Sequence, residues 1–254
     1  MSQQKSDALQ VQGDRVVLGE WSGDLGELIA KNSELRQLVR DGRNGDARAL
    51  MQAQSFEEQA ALVAMDEQPE ELLSLTGMDE RGRPGYLPAV VNKLPSEVIA
   101  DLVAPEEYTM VRFNTEMLQT MSAETFERTV DDTLDPVNYH GNRTKVSWEW
   151  LEAVATLDNA SKRAELLFKV DQSVLEDALL DRVDLIDMHA QVSAGSMGTV
   201  SAFRLLSESG QAVMLPPIRD PETAEIVRSL HQAAPELLAK VIRAAWERAE
   251  GLSR

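Results

Sequence analysis

Apolar residues recur at helical spacing along most of the chain. Between Asp24 and Asp41 the apolar positions are Leu25, Leu28, Ile29, Leu35, Leu38 and Val39, which together form one helix face. Alternation of apolar and polar residues, which is typical of half-buried strands, is almost missing. The pattern therefore predicts an all-α protein with about ten to twelve short helices and minimal sheet.

A second pattern marks where these helices begin. Residues 94–99, 104–108, 121–126 and 170–175 share an apolar residue, a Pro or capping residue, and then further apolar positions; an acid occupies the first turn in the first three. Proline at the first helical position and an acid near the positive end of the helix dipole both favour a helix start. Because proline inside a helix would break it, the repetition predicts many short stacked helices. They form either an irregular α-solenoid or a compact multi-helix bundle.

The same signals predict helix boundaries along the second half of the chain. One helix is expected from Pro105 to Thr120, and another is expected to begin with Ser147 as its N-cap. Asp171 is expected to cap a long helix that continues to about Ser193. These boundaries follow from local capping chemistry alone.

Three regions are predicted along the chain. Residues 1–24 are a polar N-terminal arm whose short apolar patch, residues 16–18, forms a small strand or a docking arm. Residues 25–194 are the helical-repeat body, and residues 195–254 are a C-terminal helical segment packed on that body. Residues 78–86 are expected to be a solvated connecting loop.

Composition narrows the classes of function. The 254 residues contain 25 basic and 43 acidic side chains, a net charge of −18, which argues against binding to nucleic acid or anionic membranes. The absence of cysteine excludes disulfides and thiolate chemistry. No secretory signal and no apolar run of about 18 residues is found, so we expect a cytoplasmic protein without membrane insertion.

The chain lacks the motifs of common enzyme classes. It has no phosphate-binding or dinucleotide-binding glycine motif and no nucleophile elbow, and its three histidines lack metal-ligand spacing. We therefore predict no cofactor, no metal site and no catalytic residue. One alternative is an enzyme that uses the loop from Asp135 to Arg143, where His140 lies near Asp135 and Tyr139 and could do acid–base work.

Acidic residues on the long predicted helix are the best candidate for a binding surface. Asp177, Asp181 and Asp184 are spaced four and three residues apart, so their carboxylates share one helix face. Such a face is solvated, binds a protein with a basic surface, or binds Mg²⁺ or Ca²⁺. The last possibility is the basis of a second alternative, a divalent-cation-responsive regulatory domain.

Two tryptophans supply candidate anchors in a chain with only 5% aromatic residues. Trp148 and Trp150 are two residues apart on a predicted helix and cannot face the same way. We expect one to enter the core and the other to be partly exposed, where it can anchor a partner.

The unit that begins Leu94-Pro95-Ser96-Glu97 and continues as an apolar helix resembles units in the cytosolic N-terminal domain of MgtE-type magnesium transporters. Similar short-helix units occur in flagellar motor switch proteins. The resemblance covers residues 87–190 and implies a helical repeat that mediates contacts and is acidic enough to respond to divalent cations. The chain shows neither the regulatory domain nor the transmembrane region of those transporters, so transport is not carried over.

Together these features predict a non-catalytic protein–protein interaction module, such as an adaptor, an assembly factor or a structural subunit of a larger complex. The predicted partner-binding residues are Trp148, Trp150, Asp177, Asp181 and Asp184. The predicted partner is a protein, and a basic surface would suit the net charge.

Overall fold

The computed structural model describes residues 8–78, 82–103, 114–134, 143–179, 203–206, 212–215 and 221–252. Thirteen helices and seven short strands lie in these residues, and 68% of them are helical. The predicted all-α class is therefore confirmed.

The chain divides into two compact units, Met1–Thr133 and Leu134–Arg254. The boundaries predicted at residues 24 and 194 do not coincide with this division. The predicted N-terminal arm is folded into the first unit from residue 8 onward, because strand residues Val16 and Leu18 are buried in its core.

The first unit begins with a three-stranded sheet and continues as a series of short helices. Its elements are β1 (Gln10–Gln12), β2 (Arg15–Leu18), β3 (Trp21–Asp24), α1 (Leu25–Arg40), α2 (Asn44–Gln52), α3 (Phe56–Ala64), α4 (Pro69–Leu73), β4 (Gly77–Met78), β5 (Pro84–Gly85), α5 (Pro88–Val91), α6 (Ser96–Val103), α7 (Thr115–Thr120) and α8 (Ala123–Thr133). Helix α3 contacts α1, α4, α5 and β2, and its residues 59–63 are all buried. The core of the first unit is thus built around α3.

Two tight hairpins form the N-terminal sheet. The order is β1-β2-β3, all antiparallel, and each connection is a two-residue turn with glycine at its first position. Gly13 and Gly19 have φ values of 67° and 59°, which glycine adopts without steric cost. The small strand offered for residues 16–18 is therefore confirmed as part of β2, while the two turns at Gly13-Asp14 and Gly19-Glu20 that pair it with β1 and β3 were not predicted.

Local side chains cap three helices of the first unit, and the cap at Ser122 confirms the helix start predicted within residues 121–126. Asp24 accepts from the Glu27 amide at 2.8 Å, Ser55 from the Glu58 amide at 3.2 Å, and Ser122 from the Thr125 amide at 3.1 Å. Each bond satisfies an amide that has no partner inside its helix.

One predicted helix of the first unit is wrong in its extent. Asn114 has a non-helical ψ of 88°, and its side chain accepts from the Met117 amide at 3.0 Å, so α7 begins at Thr115. A single helix from Pro105 to Thr120 is excluded by this cap. Residues 104–113 themselves lie outside the described residues.

The second unit consists of helices and one described hairpin. Its elements are α9 (Arg143–Ala155), α10 (Ala160–Lys169), α11 (Gln172–Leu179), β6 (Phe203–Leu206), β7 (Ala212–Leu215), α12 (Pro221–Ala233) and α13 (Pro235–Leu252). Helix α9 contacts α10, α11 and α12, and is therefore covered on several sides. The antiparallel pair β6–β7 places Phe203 opposite Leu215.

Helix starts in this unit partly follow the prediction. Ser147 is not an N-cap, because α9 begins four residues earlier and Ser147 lies inside it with a fully buried side chain. Asp171 does cap α11, since its carboxylate accepts from the Ser173 amide at 2.7 Å. The helix is described only as far as Leu179, so its predicted continuation to Ser193 lies outside the described residues.

Candidate functional site

The predicted tryptophan anchor is wrong about exposure. Trp148 is 5% exposed and Trp150 is 6% exposed, so both side chains are buried in the second unit. They do leave α9 in different directions, but α9 has neighbouring helices on more than one side. The spacing of the two tryptophans along the helix correctly predicted that their rings diverge. It could not predict that other helices pack against α9 in both directions.

The predicted acidic face can be compared with the structure only at Asp177, and there the expectation of an accessible carboxylate is wrong. Asp177 is 5% exposed and lies among the buried positions of α11, so it does not present a solvated carboxylate. Asp181 and Asp184 lie outside the described residues, and their role in partner binding stays a prediction. Residues 135–142, which include His140, also lie outside them, as does the side chain of Trp246.

The first unit offers a different candidate surface. Large apolar side chains that are about half or more exposed among the described residues are Val11, Ile29, Phe56, Met78 and Phe168. Ile29 was expected to face the core with its neighbours on α1, yet it is 54% exposed. Isolated exposed apolar residues are ordinary in soluble proteins. Met78 differs because it pairs with a second exposed residue, Pro84.

Met78 lies in the short β4–β5 hairpin, whose strands include residues 78 and 84–85 of the predicted connecting loop; residues 79–81 lie outside the described residues. Met78 pairs with Pro84, while Gly77 pairs with Gly85. Residues that pair in a ladder have side chains on the same face, so Met78 and Pro84 share one face, and Tyr86 follows β5 directly in the chain. These three residues are called the hairpin face. Met78 is 57% exposed, Pro84 is exposed and Tyr86 is half-buried.

The hairpin closes tightly because of Gly77. A Cβ at this position would lie 3.1 Å from the Gly85 carbonyl oxygen and 3.2 Å from the Leu87 nitrogen. Contacts of this length are tighter than most Cβ atoms make, so a side chain here would require the backbone of residues 85–87 to shift by a few tenths of an ångström. The close approach brings Tyr86 against α4 and the beginning of α7.

Tyr86 is held by hydrogen bonds from two helices. Its hydroxyl donates to Glu70 Oε1 at 3.2 Å and accepts from Asn114 Nδ2 at 3.0 Å. Its backbone N–H donates to Glu116 Oε1 at 3.3 Å. Asn114 is itself fixed, since its side-chain oxygen caps α7. One carboxylate therefore accepts from the hydroxyl of Tyr86, and a second accepts from its backbone N–H.

The electrostatic environment of this phenol is negative. Burial and the charges of Glu70 and Glu116 raise the pKa of Tyr86 to about 12, against the lowering effect of the Asn114 hydrogen bond. Among the described residues neither Glu70 nor Glu116 forms an ion pair with Lys or Arg. Their charges are therefore available to a group outside the described chain.

Neighbouring carboxylates behave differently. Glu58 pairs with Lys31 at 2.5 Å, Glu57 pairs with Lys93 at 2.9 Å, and the side chain of Glu71 pairs with Arg36 at 2.7 Å. The bond to Lys93 is the main reason that the pKa of Glu57 is lowered. These pairs join parts of the first unit, so their carboxylates serve the fold.

A second group of acids lies where α6 packs on α8. The Ser96 hydroxyl donates to Asp132 Oδ2 at 2.6 Å. Partial burial, then the charges of Asp101 and Asp132, raise the pKa of Glu97. Like charges thus accumulate here at a cost to stability.

The described residues contain neither a candidate metal-binding cluster nor a candidate membrane-spanning helix. These residues contain no group of three or more His, Asp or Glu side chains placed to hold a metal ion. None of the described helices combines the length and the apolar character that crossing a bilayer requires. What Tyr86, Glu70 and Glu116 can do together is attract a cation beside an exposed apolar surface.

Comparison with models of protein families, with curated proteins and with solved structures finds no match for this chain. The resemblance to the MgtE-type N-terminal domain therefore stays a prediction. The function has to be inferred from the chemistry of the surface.

Proposed function

We propose that this protein is a non-catalytic protein–protein interaction module. The observation that supports the proposal is the hairpin face, where Met78 and Pro84 are exposed beside carboxylates without a described ion-pair partner. An exposed apolar surface with a polar rim is typical of sites that bind other proteins. The net charge of −18 favours a partner with a basic surface.

The described part of the second unit does not present the predicted anchors. Trp148, Trp150 and Asp177 are buried there and serve the core, so they are not available as the anchors that the sequence suggested. The interaction surface is therefore assigned to the first unit. Asp181 and Asp184 remain candidates for a further contact.

Chemical cross-linking in cells of the source organism tests this function. The tagged full chain is cross-linked, purified and analysed by mass spectrometry beside two variants, Met78→Ser and Ile29→Ser. The two apolar side chains are 57% and 54% exposed, so the variants remove similar apolar area from different places. We expect one reproducible partner whose yield falls in Met78→Ser and not in Ile29→Ser. Recovery of the chain alone under all conditions would refute the function.

A further inference from the structure

We propose that the hairpin face binds a basic segment of the partner protein, with a Lys or Arg side chain between Glu70 and Glu116 against the phenol of Tyr86. This inference rests on the proposed interaction function and names the chemistry of the partner. It assigns the apolar contact to Met78 and Pro84, and the charged contact to the two carboxylates.

The hydrogen bonds around Tyr86 determine where a cation would lie. Glu70 accepts from the Tyr86 hydroxyl at 3.2 Å, and Glu116 accepts from the Tyr86 backbone N–H at 3.3 Å. Both charges act on the same phenol. A cation beside that ring is therefore attracted by two carboxylates and by the face of an aromatic ring.

Charge complementarity selects a basic occupant over an acidic one. Glu70 and Glu116 both bond to Tyr86, so their negative charges would repel a phosphate or carboxylate ligand placed beside this residue. The hairpin face therefore presents a negative rim to an incoming partner.

The apolar half of the surface adds a second requirement. Met78 is adaptable because its side chain is unbranched and polarisable, and Pro84 opposite it is rigid. Together they suit an apolar side chain that lies close to the basic one. A segment that carries only charge would therefore bind more weakly than one that carries both.

Peptide titration of the full chain, followed by amide NMR shifts, tests this proposal. The probes are a ten-residue peptide of alternating Lys and Leu and its Glu/Leu counterpart. We expect the Lys/Leu peptide to shift signals of residues 70, 77–78, 84–86 and 114–117, and the Glu/Leu peptide to shift none of them. Glu70→Gln with Glu116→Gln should weaken binding by about tenfold.

A matched double variant controls for net charge. Glu27→Gln with Glu34→Gln removes two exposed carboxylates of α1, and we expect less than about a twofold change in affinity. Equal weakening by both double variants would overturn the proposal, because it would show attraction to the overall charge only. If the first double variant does not fold, two other measurements replace it. Weaker binding of the Lys/Leu peptide to Met78→Ser than to the wild type would support the proposal, and equal shifts of the wild-type signals by the Glu/Leu and Lys/Leu peptides would overturn it. A cellular partner cross-linked with unchanged yield to Glu70→Gln/Glu116→Gln would remove this inference and leave the interaction function in place.

Discussion

The hydroxyl of Tyr86 donates a hydrogen bond to the carboxylate of Glu70 across 3.2 Å, although sixteen residues separate them in the chain. This bond joins the β4–β5 hairpin to α4, and the bond from Asn114 joins the same phenol to α7. The candidate site is therefore also part of what holds the first unit together.

Tyr86 should titrate at unusually high pH. Burial and two nearby carboxylates raise its pKa to about 12, from an ordinary value of 10. Because the folded chain favours the protonated phenol, the resulting stabilisation is complete below pH 10 and is lost as the pH rises through about 12. Phenolate absorbance of the wild type minus that of Tyr86→Phe isolates this group among the three tyrosines. A difference curve centred near pH 10 would show that the phenol is not in this environment.

Arg36 should be a major stabilising residue of the first unit. Its Nε donates to Asp66 at 2.7 Å, and the Asp66 side chain is only 2% exposed. Removing one partner of a buried ion pair leaves the other charge uncompensated, so Arg36→Leu should cost about 3 kcal/mol in the free energy of unfolding.

Arg43 provides the matched control for Arg36. It pairs with Asp46 on the surface, where both side chains are about 60% exposed, and Arg43→Leu should cost less than about 0.5 kcal/mol. Urea denaturation followed by circular dichroism measures both values. Similar costs for the two variants would mean that the Arg36 pair is as weak as a surface pair.

Gly23 should not accept a side chain. A Cβ at this position would overlap the indole ring of Trp21, which lies on the same face of β3. Gly23→Ala should therefore destabilise the first unit by about 1–3 kcal/mol and change the tryptophan fluorescence.

Gly45 gives the opposite expectation. It lies near the start of α2, and a Cβ there would meet nothing within 4 Å. Gly45→Ala should stabilise the fold by about 0.5 kcal/mol, because alanine restricts the unfolded chain and favours a helix. Thermal denaturation of both variants tests the pair, and a stable Gly23→Ala variant with unchanged fluorescence would contradict the packing of Trp21.

Glu97→Gln should stabilise the protein at neutral pH and not at acidic pH. Burial and the charges of Asp101 and Asp132 raise the pKa of Glu97 above its ordinary value of 4.5, so the folded chain favours the protonated form. The benefit of protonation is complete below the ordinary value and is lost as pH rises through the folded value. At pH 7 the variant should raise the Tm by about 1–2 °C, a small effect because solvent screens a partly exposed carboxylate. A Tm difference that is the same at pH 3.5 and pH 7 would contradict this explanation.

Local chemistry made much of the helical architecture predictable. The caps at Asp24, Ser55 and Ser122 each involve a side chain and an amide three residues later, so a short stretch of sequence contains the whole signal. The hairpin turns at Gly13 and Gly19 were equally local, yet only the strand at residues 16–18 was offered as an alternative, because the strands on either side of it have too few apolar residues to show alternation.

The candidate site could not be predicted in the same way. Tyr86 meets Glu70 and Asn114 across separations of 16 and 28 residues, and no spacing rule connects them. The burial of both Trp148 and Trp150 likewise depends on helices that pack against α9 from elsewhere in the second unit. Such contacts depend on tertiary packing. The spacing of apolar residues within one helix or strand carries no information about which other elements pack against it.

Site-specific photo-cross-linking from position 78 tests the central claim most directly. A photoreactive amino acid replaces Met78 in the full chain, and a second chain carries it at Ile29 as the control. We expect position 78 to cross-link to a partner segment rich in Lys or Arg, and we expect this product to be lost when Glu70→Gln and Glu116→Gln are added. Cross-linking of the same segment with equal yield from position 29, or a product from position 78 that survives the two charge removals, would contradict it.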